Sequence, residues 1–400
     1  MGDLTSPPTI SITSQTMPTI AFPNPLHDLH TSANAETLAY GAVEIVSTFG
    51  EPQAEYSAIH KSAGLVDMPF RAVLELTGKD RLPFLNNLLT NQTFDKNTKT
   101  PMAAGSVVYG FLLTAKTGRI IADMNVLELG DRTLLELDGR VIDTVKSALE
   151  RYQFTEQVTI RSLVGQVHEI SIHGPGSTAV LSKLLDGGEA PAESRCSAAR
   201  IIGADVVVWR DDPCGAAGFS LIVPSDAAVA VWNHVIATFA FPEVSGAAIN
   251  VGRRVLRPIG WAAFNTTRIE AGRPLFGIDF DETFLAAETG RLDRAVSFTK
   301  GCYPGQEIVA RMHARKQLAK QIAGIRMDGE ALPVAGTLIY DEVSNQIGGI
   351  TSSTLSPILS NAAICLGILK RPFFNAGSVL QIPAEGAMRK ATVVELPFKR

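Results

Sequence analysis

The stretch of sequence that bears most on fold and function is residues 300–307, Lys300-Gly301-Cys302-Tyr303-Pro304-Gly305-Gln306-Glu307. It places one thiol between two glycines, beside a lysine and ahead of a helix predicted from Pro304 to about Arg315. Proline suits the first helical position, where its missing N–H removes no hydrogen bond. Cys302 would then lie near the positive end of the helix dipole and close to Lys300, and both effects favour the thiolate. The pattern therefore predicts a reactive thiol, and the alternative is a small, buried and inert cysteine.

A resemblance to a known family favours the reactive thiol. Together with the following Ile308-Val309-Ala310-Arg311, residues 300–307 resemble the signature of YgfZ/IBA57-type proteins. Those are folate-binding proteins linked to iron–sulfur cluster assembly or repair. They are relatives of the glycine cleavage T-protein (GcvT), an aminomethyltransferase. Because the motif is long and specific, the resemblance implies membership of this superfamily.

The resemblance extends over roughly residues 55–400 and includes shorter motifs in the family's order. It implies a ring-like, three-domain T-protein fold, with folate bound near a central channel and a β-barrel as the C-terminal domain. The supporting motifs are Gly64-Leu65-Val66-Asp67, Leu85-x-x-Leu88-Leu89-Thr90-Asn91, Gly118-Arg119-Ile120-Ile121-Ala122-Asp123 and Arg268-Ile269-Glu270-Ala271-Gly272.

Hydrophobic periodicity predicts an α+β fold with antiparallel sheets, because strands and helices alternate without the regular spacing of a doubly wound parallel sheet. Residues 1–38 are rich in Ser, Thr and Pro and are predicted to be disordered. The resemblance implies that residues 39–316 form a folate-binding, T-protein-like region of two α+β domains, the second at about 166–245. Short β-rich runs separated by turn residues predict a β-barrel domain over 317–400.

Composition and cysteine spacing argue against several classes of protein. The 400 residues are 46% hydrophobic and 19% charged, which is ordinary for a globular protein with a sizeable core. The net charge of −4 argues against a general polyanion binder. The four cysteines are widely spaced and form no Cys-x-x-Cys pair, so no metal site is predicted and a reducing compartment is expected. No apolar run could span a bilayer and neither a signal-peptide nor a transit-peptide pattern is found, so the cytoplasm is the expected location, without a membrane partner.

Asp123 and Cys302 are the candidate catalytic residues. Asp123 lies on the second strand of a predicted hairpin, where a carboxylate is either exposed or held in a cleft. In T-proteins the matching segment carries a catalytic aspartate near the folate, so the resemblance implies that Asp123 orients or deprotonates a folate nitrogen. It also implies tetrahydrofolate or a derivative as the cofactor, with the candidate binding residues Arg268, Glu270, Lys300, Tyr303, Gln306 and Glu307.

Arg268 has a structural interpretation beside the functional one. Its planar guanidinium suits the glutamyl carboxylates of a folate. The residues that follow it predict a helix end at Gly272, with Pro274 blocking continuation. The resemblance favours the folate role.

Two departures from the T-protein pattern bear on activity. Ala122 occupies the first of two acidic positions, and Ala216 stands where T-proteins carry the glutamate that anchors the pterin. Both departures shift the expected function away from aminomethyl transfer.

A basic cluster follows the cysteine motif. It is most simply a solvated helix face, and it could also attract folate polyglutamate or the phosphates of a tRNA. No aromatic residues interleave with it, so nucleic acid is the weaker alternative. The cluster consists of Arg311, His313, Arg315, Lys316 and Lys320.

The leading hypothesis from sequence is a folate-binding accessory protein of iron–sulfur cluster assembly or repair, with Cys302 as its reactive thiol. Its expected partners are a reduced folate and iron–sulfur assembly or client proteins. An aminomethyltransferase that transfers a one-carbon unit to tetrahydrofolate is the alternative, and a non-catalytic folate-binding scaffold is the third. Whether the protein is an enzyme stays open at this point; if it is one, it is a folate-dependent aminomethyltransferase.

Overall fold

The computed structural model describes residues 23–240, 255–315 and 318–399. Within these ranges, no helix is both long and apolar enough to cross a membrane. The helices are α1 (His27–Ser32), α2 (Pro52–Lys61), α3 (Arg81–Leu88), α4 (Ile142–Arg151), α5 (Ser177–Leu184), α6 (Ala228–Phe239), α7 (Trp261–Glu270), α8 (Leu292–Ala295) and α9 (Gln306–Arg315).

The strands form a hairpin, a two-stranded ribbon, two larger sheets and a closed barrel. The first 15 are β1 (Glu36–Tyr40), β2 (Val43–Thr48), β3 (Ala63–Asp67), β4 (Arg71–Thr77), β5 (Phe94–Asp95), β6 (Thr100–Pro101), β7 (Val107–Leu113), β8 (Ile120–Glu128), β9 (Thr133–Asp138), β10 (Thr159–Ser162), β11 (Val167–His173), β12 (Cys196–Ile201), β13 (Ala204–Arg210), β14 (Gly218–Pro224) and β15 (Leu256–Pro258). The barrel strands are β16 (Lys320–Met327), β17 (Leu338–Tyr340), β18 (Gln346–Ser356), β19 (Ala362–Lys370), β20 (Val379–Ala384) and β21 (Ala387–Val394).

The first sheet is antiparallel, with the strand order β10-β4-β9-β8-β7. Successive side chains of a strand point to opposite faces, so one face collects every second residue. Ala122, Met124 and Val126 of β8 lie in a core with residues of α3 and α4. Asp123 and Asn125 therefore share the opposite face of the sheet.

The second sheet has the order β12-β13-β14-β11-β3-β15 and is antiparallel except for the β15–β3 pair. Ile170 and Ile172 of β11 pack in a core with α5 and α6. Glu169, Ser171 and His173 consequently face the other way, towards the first sheet.

The two sheets pack face to face between their helices. Val73 and Leu134 of the first sheet meet Val207, Trp209 and Ile222 of the second in one apolar cluster. This part of the interface is apolar. The buried carboxylates beside this apolar cluster belong to the candidate site.

The C-terminal barrel closes in the order β16-β19-β18-β17-β20-β21, with β21 pairing back to β16. Its interior is filled by aliphatic side chains such as Ile325, Ile339 and Leu380. Leu366 and Ile322 contribute instead to the core of the first sheet. The α+β class, the antiparallel sheets and the C-terminal barrel predicted from sequence are confirmed.

Boundaries differ from the sequence prediction in three places. Of the segment 1–38, residues 1–22 lie outside the described ranges, whereas helix α1 and the start of β1 lie within the segment, so order begins before residue 39. The second sheet draws strands from 63–67 and 256–258, beyond the predicted span of about 166–245. The predicted helix start at Pro304 is wrong, because Gly305 has a φ of 79° and α9 begins at Gln306.

Candidate active site

One wall of the site is the polar face of β8. Asp123 is only 7% exposed. The Tyr109 hydroxyl on neighbouring β7 donates a hydrogen bond to Asp123 Oδ2 at 2.7 Å. Tyr109 lies opposite Asn125 in the register, so it reaches Asp123 diagonally across the strand pair. This bond orients the carboxylate and leaves its Oδ1 atom free of partners among the described residues.

A buried ion pair supports the same wall. Asn125 Nδ2 donates to Glu136 Oε2 at 2.7 Å, and Arg71 pairs with the other oxygen of Glu136. Burial raises the pKa of Glu136 even though Arg71 opposes the shift. The Arg71–Glu136 ion pair fixes the side-chain amide of Asn125. The carbonyl oxygen of that amide has no hydrogen-bond partner within the described chain.

The opposite wall comes from the second sheet. Glu169 and His173 lie four residues apart on one face of β11. Burial, together with the nearby Glu136, raises the pKa of Glu169 well above its ordinary value. Burial lowers the pKa of His173 to about 4, so its ring is neutral at pH 7. A Cβ on the facing Gly218 would overlap His173 Nδ1, so only glycine leaves room for the ring.

The central cavity is the space between these walls. Of the ten buried side-chain atoms without a hydrogen-bond partner in the described part of the chain, six belong to its lining. Buried polar atoms are costly when unpaired, so such a concentration indicates a ligand that supplies the missing partners. The six atoms are Asp123 Oδ1, Asn125 Oδ1, Glu169 Oε2, His173 Nδ1, Trp209 Nε1 and Arg291 Nε.

These groups fit a flat polar heterocycle. Carboxylate and amide oxygens accept hydrogen bonds, whereas the indole and guanidinium nitrogens donate them. Phe70, Phe264 and Phe276 add apolar ring surface to the lining, and the space between the lining atoms is about 670 Å³ including the mouth. Within the described ranges, no group of three or more His, Cys, Asp or Glu side chains is arranged to hold a metal ion.

A second hollow, called the vestibule here, adjoins the central cavity and shares Tyr109 and Asp211 with it. The guanidinium carbons of Arg291 and Arg294 lie 4.4 and 4.9 Å from the centre of the Tyr109 ring. Arg294 donates to Asp211 Oδ1 at 2.9 Å. Although burial opposes the shift, Arg294 and Arg291 lower the pKa of Asp211 to about 2. The vestibule is lined by Asn91, Val107, Val108, Tyr109, Glu193, Ser194, Arg210, Asp211, Asp212, Arg273 and Arg294.

Of the residues predicted from sequence, Asp123 lines the central cavity, whereas Arg268 does not. The Arg268 side chain is fully buried. It pairs with Asp279, and it donates to Asn265 Oδ1 at 2.9 Å and to Ser352 Oγ at 2.6 Å. Ser352 belongs to β18, so Arg268 joins α7 to the barrel.

Glu270 borders a different cavity, on the side of α7 that faces the barrel. Its carboxylate accepts hydrogen bonds from Tyr56 at 2.8 Å, His60 at 3.0 Å and Ser356 at 2.5 Å. These bonds connect α2, α7 and β18. The structure therefore places Glu270, like Arg268, at a junction between elements and away from Asp123.

The cysteine motif packs on the turn between β7 and β8, outside the central cavity. Lys300 Nζ donates to the carbonyl oxygens of Asn86, Leu89 and Asn91, which uses all three donors of an ammonium group. Burial and the neighbouring Lys96 lower the pKa of Lys300 to about 7, while the three carbonyls favour the charged form. Cys302 is exposed.

The other three residues of the motif also lie away from the cavity lining. Tyr303 is buried in the core of the first sheet, where burial raises its pKa to about 12. Gln306 and Glu307 form the first turn of α9. The structure thus brings none of the motif side chains to Asp123, and their folate contacts stay a prediction.

Sequence reasoning missed most of the cavity. Two local signals for the cavity were available in the sequence. Asp123 and Asn125 alternate along one strand, and Glu169 and His173 are spaced so that they lie on one face of another. Neither His173 nor Glu169 belongs to a motif that the sequence analysis singled out. Other polar groups of the lining also carry no local motif, among them Arg71, Tyr109, Glu136, Trp209 and Arg291.

Comparisons with known proteins agree with this architecture. The family model for the GCVT N-terminal domain matches residues 26–300, and that for the glycine cleavage T-protein C-terminal barrel domain matches residues 320–399. An aminomethyltransferase of Chloroherpeton thalassium is 26% identical over 376 residues, which cover 94% of this chain and 98% of the relative. One from Caldanaerobacter subterraneus is 26% identical over 377 residues, covering 94% and 95%.

A solved structure shares the fold. Glycine cleavage system aminomethyltransferase T from Bartonella henselae superposes with a TM-score of 0.80 at 21% identity, covering 94% of this chain and 97% of that one.

These findings overturn the leading hypothesis from sequence. The relatives that match nearly the whole chain are aminomethyltransferases, so the assignment to iron–sulfur cluster assembly or repair is wrong. No finding supports the narrower YgfZ/IBA57-type assignment. Both domain models match in order, the first over residues 26–300 and the second over residues 320–399, and the first alone covers more than half of the chain. The chain therefore belongs to the GcvT superfamily, the family of the glycine cleavage T-protein.

Proposed function

We propose that this protein is an aminomethyltransferase that transfers a one-carbon unit to tetrahydrofolate in the central cavity. The observation that carries the proposal is Asp123, a buried carboxylate with one oxygen bonded to Tyr109 and the other unbonded in the described chain. The names of the full-length relatives support the same reaction class.

The residues present fit the pterin ring of a reduced folate. The edge of the pterin ring carries both N–H donors and acceptor atoms. The cavity lining provides acceptor oxygens for the donors and N–H groups for the acceptors. Ala216 contributes no carboxylate, yet Glu169 on β11 supplies a carboxyl group to the same cavity. Because burial raises the pKa of Glu169, that group can donate a hydrogen bond as well as accept one.

The reaction needs proton transfer at the folate nitrogens. In an aminomethyl group carried on a lipoyl thiol, the carbon exchanges its bonds to sulfur and to the amine for bonds to two folate nitrogens. The two protons that those nitrogens lose leave with the thiol and with ammonia. Asp123 Oδ1 is the acceptor that this chain provides, and Tyr109 holds it in place. The apolar rings around it exclude water and strengthen the electrostatic interactions.

The test is a reconstituted reaction with an aminomethyl-loaded lipoyl carrier protein and tetrahydrofolate, with ammonia and methylenetetrahydrofolate as readouts. Asp123→Asn is expected to lower kcat by at least about 100-fold, the usual contribution of a positioned acid–base group. Tyr109→Phe removes only the orienting bond and is expected to lower kcat about tenfold.

The matched control is Asp131→Asn, which makes the same chemical change at an exposed carboxylate on the loop after β8. It is expected to leave turnover unchanged. Turnover by Asp123→Asn equal to that of the wild type would contradict the role of Asp123. A wild-type protein that neither binds tetrahydrofolate nor releases ammonia would contradict the proposed function itself.

A further inference from the structure

Five carboxyl groups line the central cavity, and two of them lack an arginine partner within the described ranges. The five are Asp123, Glu136, Asp138, Glu169 and Asp211. Three of them pair with an arginine, in the pairs Arg71–Glu136, Arg140–Asp138 and Arg294–Asp211. The remaining guanidinium of the lining is Arg291. One guanidinium cannot neutralise two carboxylates, so one of Asp123 and Glu169 is expected to be a neutral acid.

Glu169 is the group whose surroundings favour the neutral form. The residue is 5% exposed, and its Oε2 atom has no hydrogen-bond partner in the described chain. Burial and the charge of Glu136 on the facing sheet raise the pKa of Glu169 well above its ordinary value. Asp211 adds to that shift, whereas Arg71 and Ser220 oppose it. The Glu169 carboxyl therefore keeps its proton beyond the pH at which an exposed glutamate has ionised.

Asp123, on the opposite wall, has the reverse environment. The Tyr109 hydroxyl donates to Asp123 Oδ2 at 2.7 Å, and such a donor stabilises the ionised form of a carboxyl group. The other oxygen, Oδ1, has no partner in the described chain and can accept a proton. A protonated carboxyl on one wall and an ionised one on the other give the cavity an acid and a base at the same time.

We propose that Glu169 is the general acid of the transfer and that its Oε2 proton goes to the sulfur that leaves the one-carbon unit. This inference rests on the proposed function, because that sulfur belongs to the lipoyl thiol of the donor. A free thiol such as that of cysteine has a pKa of about 8.5, so a departing thiolate takes up a proton at pH 7. Because the apolar rings of the lining exclude water, a side chain has to supply that proton.

The protons balance over one turnover. As the carbon–sulfur bond breaks, its electron pair stays on the sulfur, which takes the proton of Glu169 and becomes a thiol. Asp123 takes the proton of the folate nitrogen that bonds to the carbon. When the carbon–amine bond breaks, Asp123 gives that proton to the amine, which leaves as ammonia. Glu169, now a carboxylate, takes the proton of the second folate nitrogen, so both carboxyl groups return to their starting states.

Infrared spectroscopy of the full-length protein without ligand tests the protonation state of Glu169. At pH 7 the carbonyl stretch of a protonated carboxylic acid is expected in the wild type and should be lost from Glu169→Gln. Glu150→Gln, at an exposed glutamate of α4, is the matched control and should keep the band. A band that persists unchanged in Glu169→Gln would show that Glu169 is ionised and would overturn the inference.

Single-turnover kinetics test the proton transfer itself. The aminomethyl-loaded lipoyl carrier protein is mixed with enzyme and tetrahydrofolate, and thiol release is followed by the mass of the carrier after rapid quenching. Glu169→Gln keeps the size and the hydrogen-bonding capacity of the side chain but cannot give up a proton, so the rate constant should fall about 100-fold. Calorimetry should find its tetrahydrofolate affinity within about twofold of that of the wild type.

The pH dependence separates an acid from a structural residue. Since Glu169 must be protonated to act, the wild-type rate constant should fall as the pH rises through the pKa of its carboxyl group. That decrease should be missing in Glu169→Gln. Glu169→Asp restores a carboxyl group and should recover part of the rate together with the decrease. Arg71, Glu136, His173 and Asp211 face the same space and are unchanged in both variants, so a difference between the profiles belongs to position 169.

The kinetic results can also overturn the inference. A wild-type rate and pH profile in Glu169→Gln, with the wild type active, would remove the acid role and leave the proposed function standing. A loss of tetrahydrofolate affinity that accounts for the whole loss of rate would make Glu169 a ring-binding residue instead. If the wild type transfers no one-carbon unit to tetrahydrofolate, the proposed function fails and the acid role fails with it.

Discussion

At the scale of single residues, His173 links stability to pH. Its pKa falls from about 6.5 in an unfolded chain to about 4 in the buried site. A depressed folded-state pKa means that the unfolded chain takes up the proton first. The stability is therefore fully present above about pH 6.5 and is lost as the pH falls towards 4.

We expect this one group to lower the free energy of unfolding by about 2 to 3 kcal/mol between pH 7 and pH 4.5. In His173→Gln the side chain cannot take up that proton, so the free energy of unfolding should fall less between pH 7 and pH 4.5 than it does in the wild type. Urea unfolding at the two pH values measures both slopes. Parallel acid limbs for the two proteins would show that the imidazole is not held neutral.

We expect the four cysteines to differ in reactivity, because they differ in exposure. Cys302 is exposed, whereas the other three are buried. Burial raises the pKa of Cys196 to about 11 and the pKa values of Cys214 and Cys365 to about 12. We expect an alkylating probe at pH 7 to label Cys302 at least about tenfold faster than the other three, as followed by mass spectrometry.

Because Cys302 lies away from the cavity, Cys302→Ser should retain aminomethyl transfer. Loss of turnover in that variant, with the fold intact, would indicate that the Cys302 thiol takes part in the reaction.

At the scale of elements, Arg268 stabilises the joint between α7 and the barrel. Breaking a buried ion pair leaves an unpaired charge, so Arg268→Ala is expected to lower the free energy of unfolding by about 3–5 kcal/mol. Arg268→Ala combined with Asp279→Ala should cost less than the sum of the single changes, because the pair is coupled. Chemical denaturation of the four proteins measures this coupling.

The same variants separate the structural role of Arg268 from the folate role predicted from sequence. Ligand affinity per folded molecule should be unchanged in Arg268→Ala, because the side chain does not line the central cavity. A stable Arg268→Ala protein with weakened tetrahydrofolate binding would favour the sequence interpretation.

Elements were easier to predict from the sequence than the site. Alternating β-rich runs reveal the sheets and the barrel because the side-chain period is local. Asp123 was found through its motif. Glu169 and Trp209 lie on strands of another sheet, and they meet Asp123 only because two sheets pack face to face. No local sequence pattern predicts which faces of the two sheets will pack together. A polar residue on a strand is therefore interpreted as exposed to solvent until the packing is known.

The helix start predicted at Pro304 fails for a similar reason. Gly305 adopts its left-handed conformation where a Cβ would lie 2.9 Å from Gly118 Cα, a contact between segments far apart in sequence. Local propensity favoured a helix that begins at proline. Tertiary packing moved the start to Gln306.

At the scale of the whole molecule, the barrel and the first sheet share a core. Ile322, Ile364 and Leu366 of the barrel lie in one apolar cluster with Met124 and Leu135 of the first sheet. Separating the two units would expose this cluster to water. We therefore expect the amides of β8, β9, β16 and β19 to exchange hydrogen with the same opening free energy, within about 1 kcal/mol.

Hydrogen exchange followed by mass spectrometry under native conditions measures those energies. Barrel amides that open several kcal/mol more easily than those of the first sheet would show that the barrel unfolds on its own.

Gly218 limits the substitutions that the protein can accept during evolution. Any larger residue at this position would overlap the His173 ring and the Asp211 carbonyl oxygen. Every single-nucleotide change that replaces this glycine alone is therefore expected to damage the cavity at once. In a randomised library selected for turnover, position 218 should return glycine alone, while a neutral neighbour such as Ala198 on the exposed edge strand drifts freely.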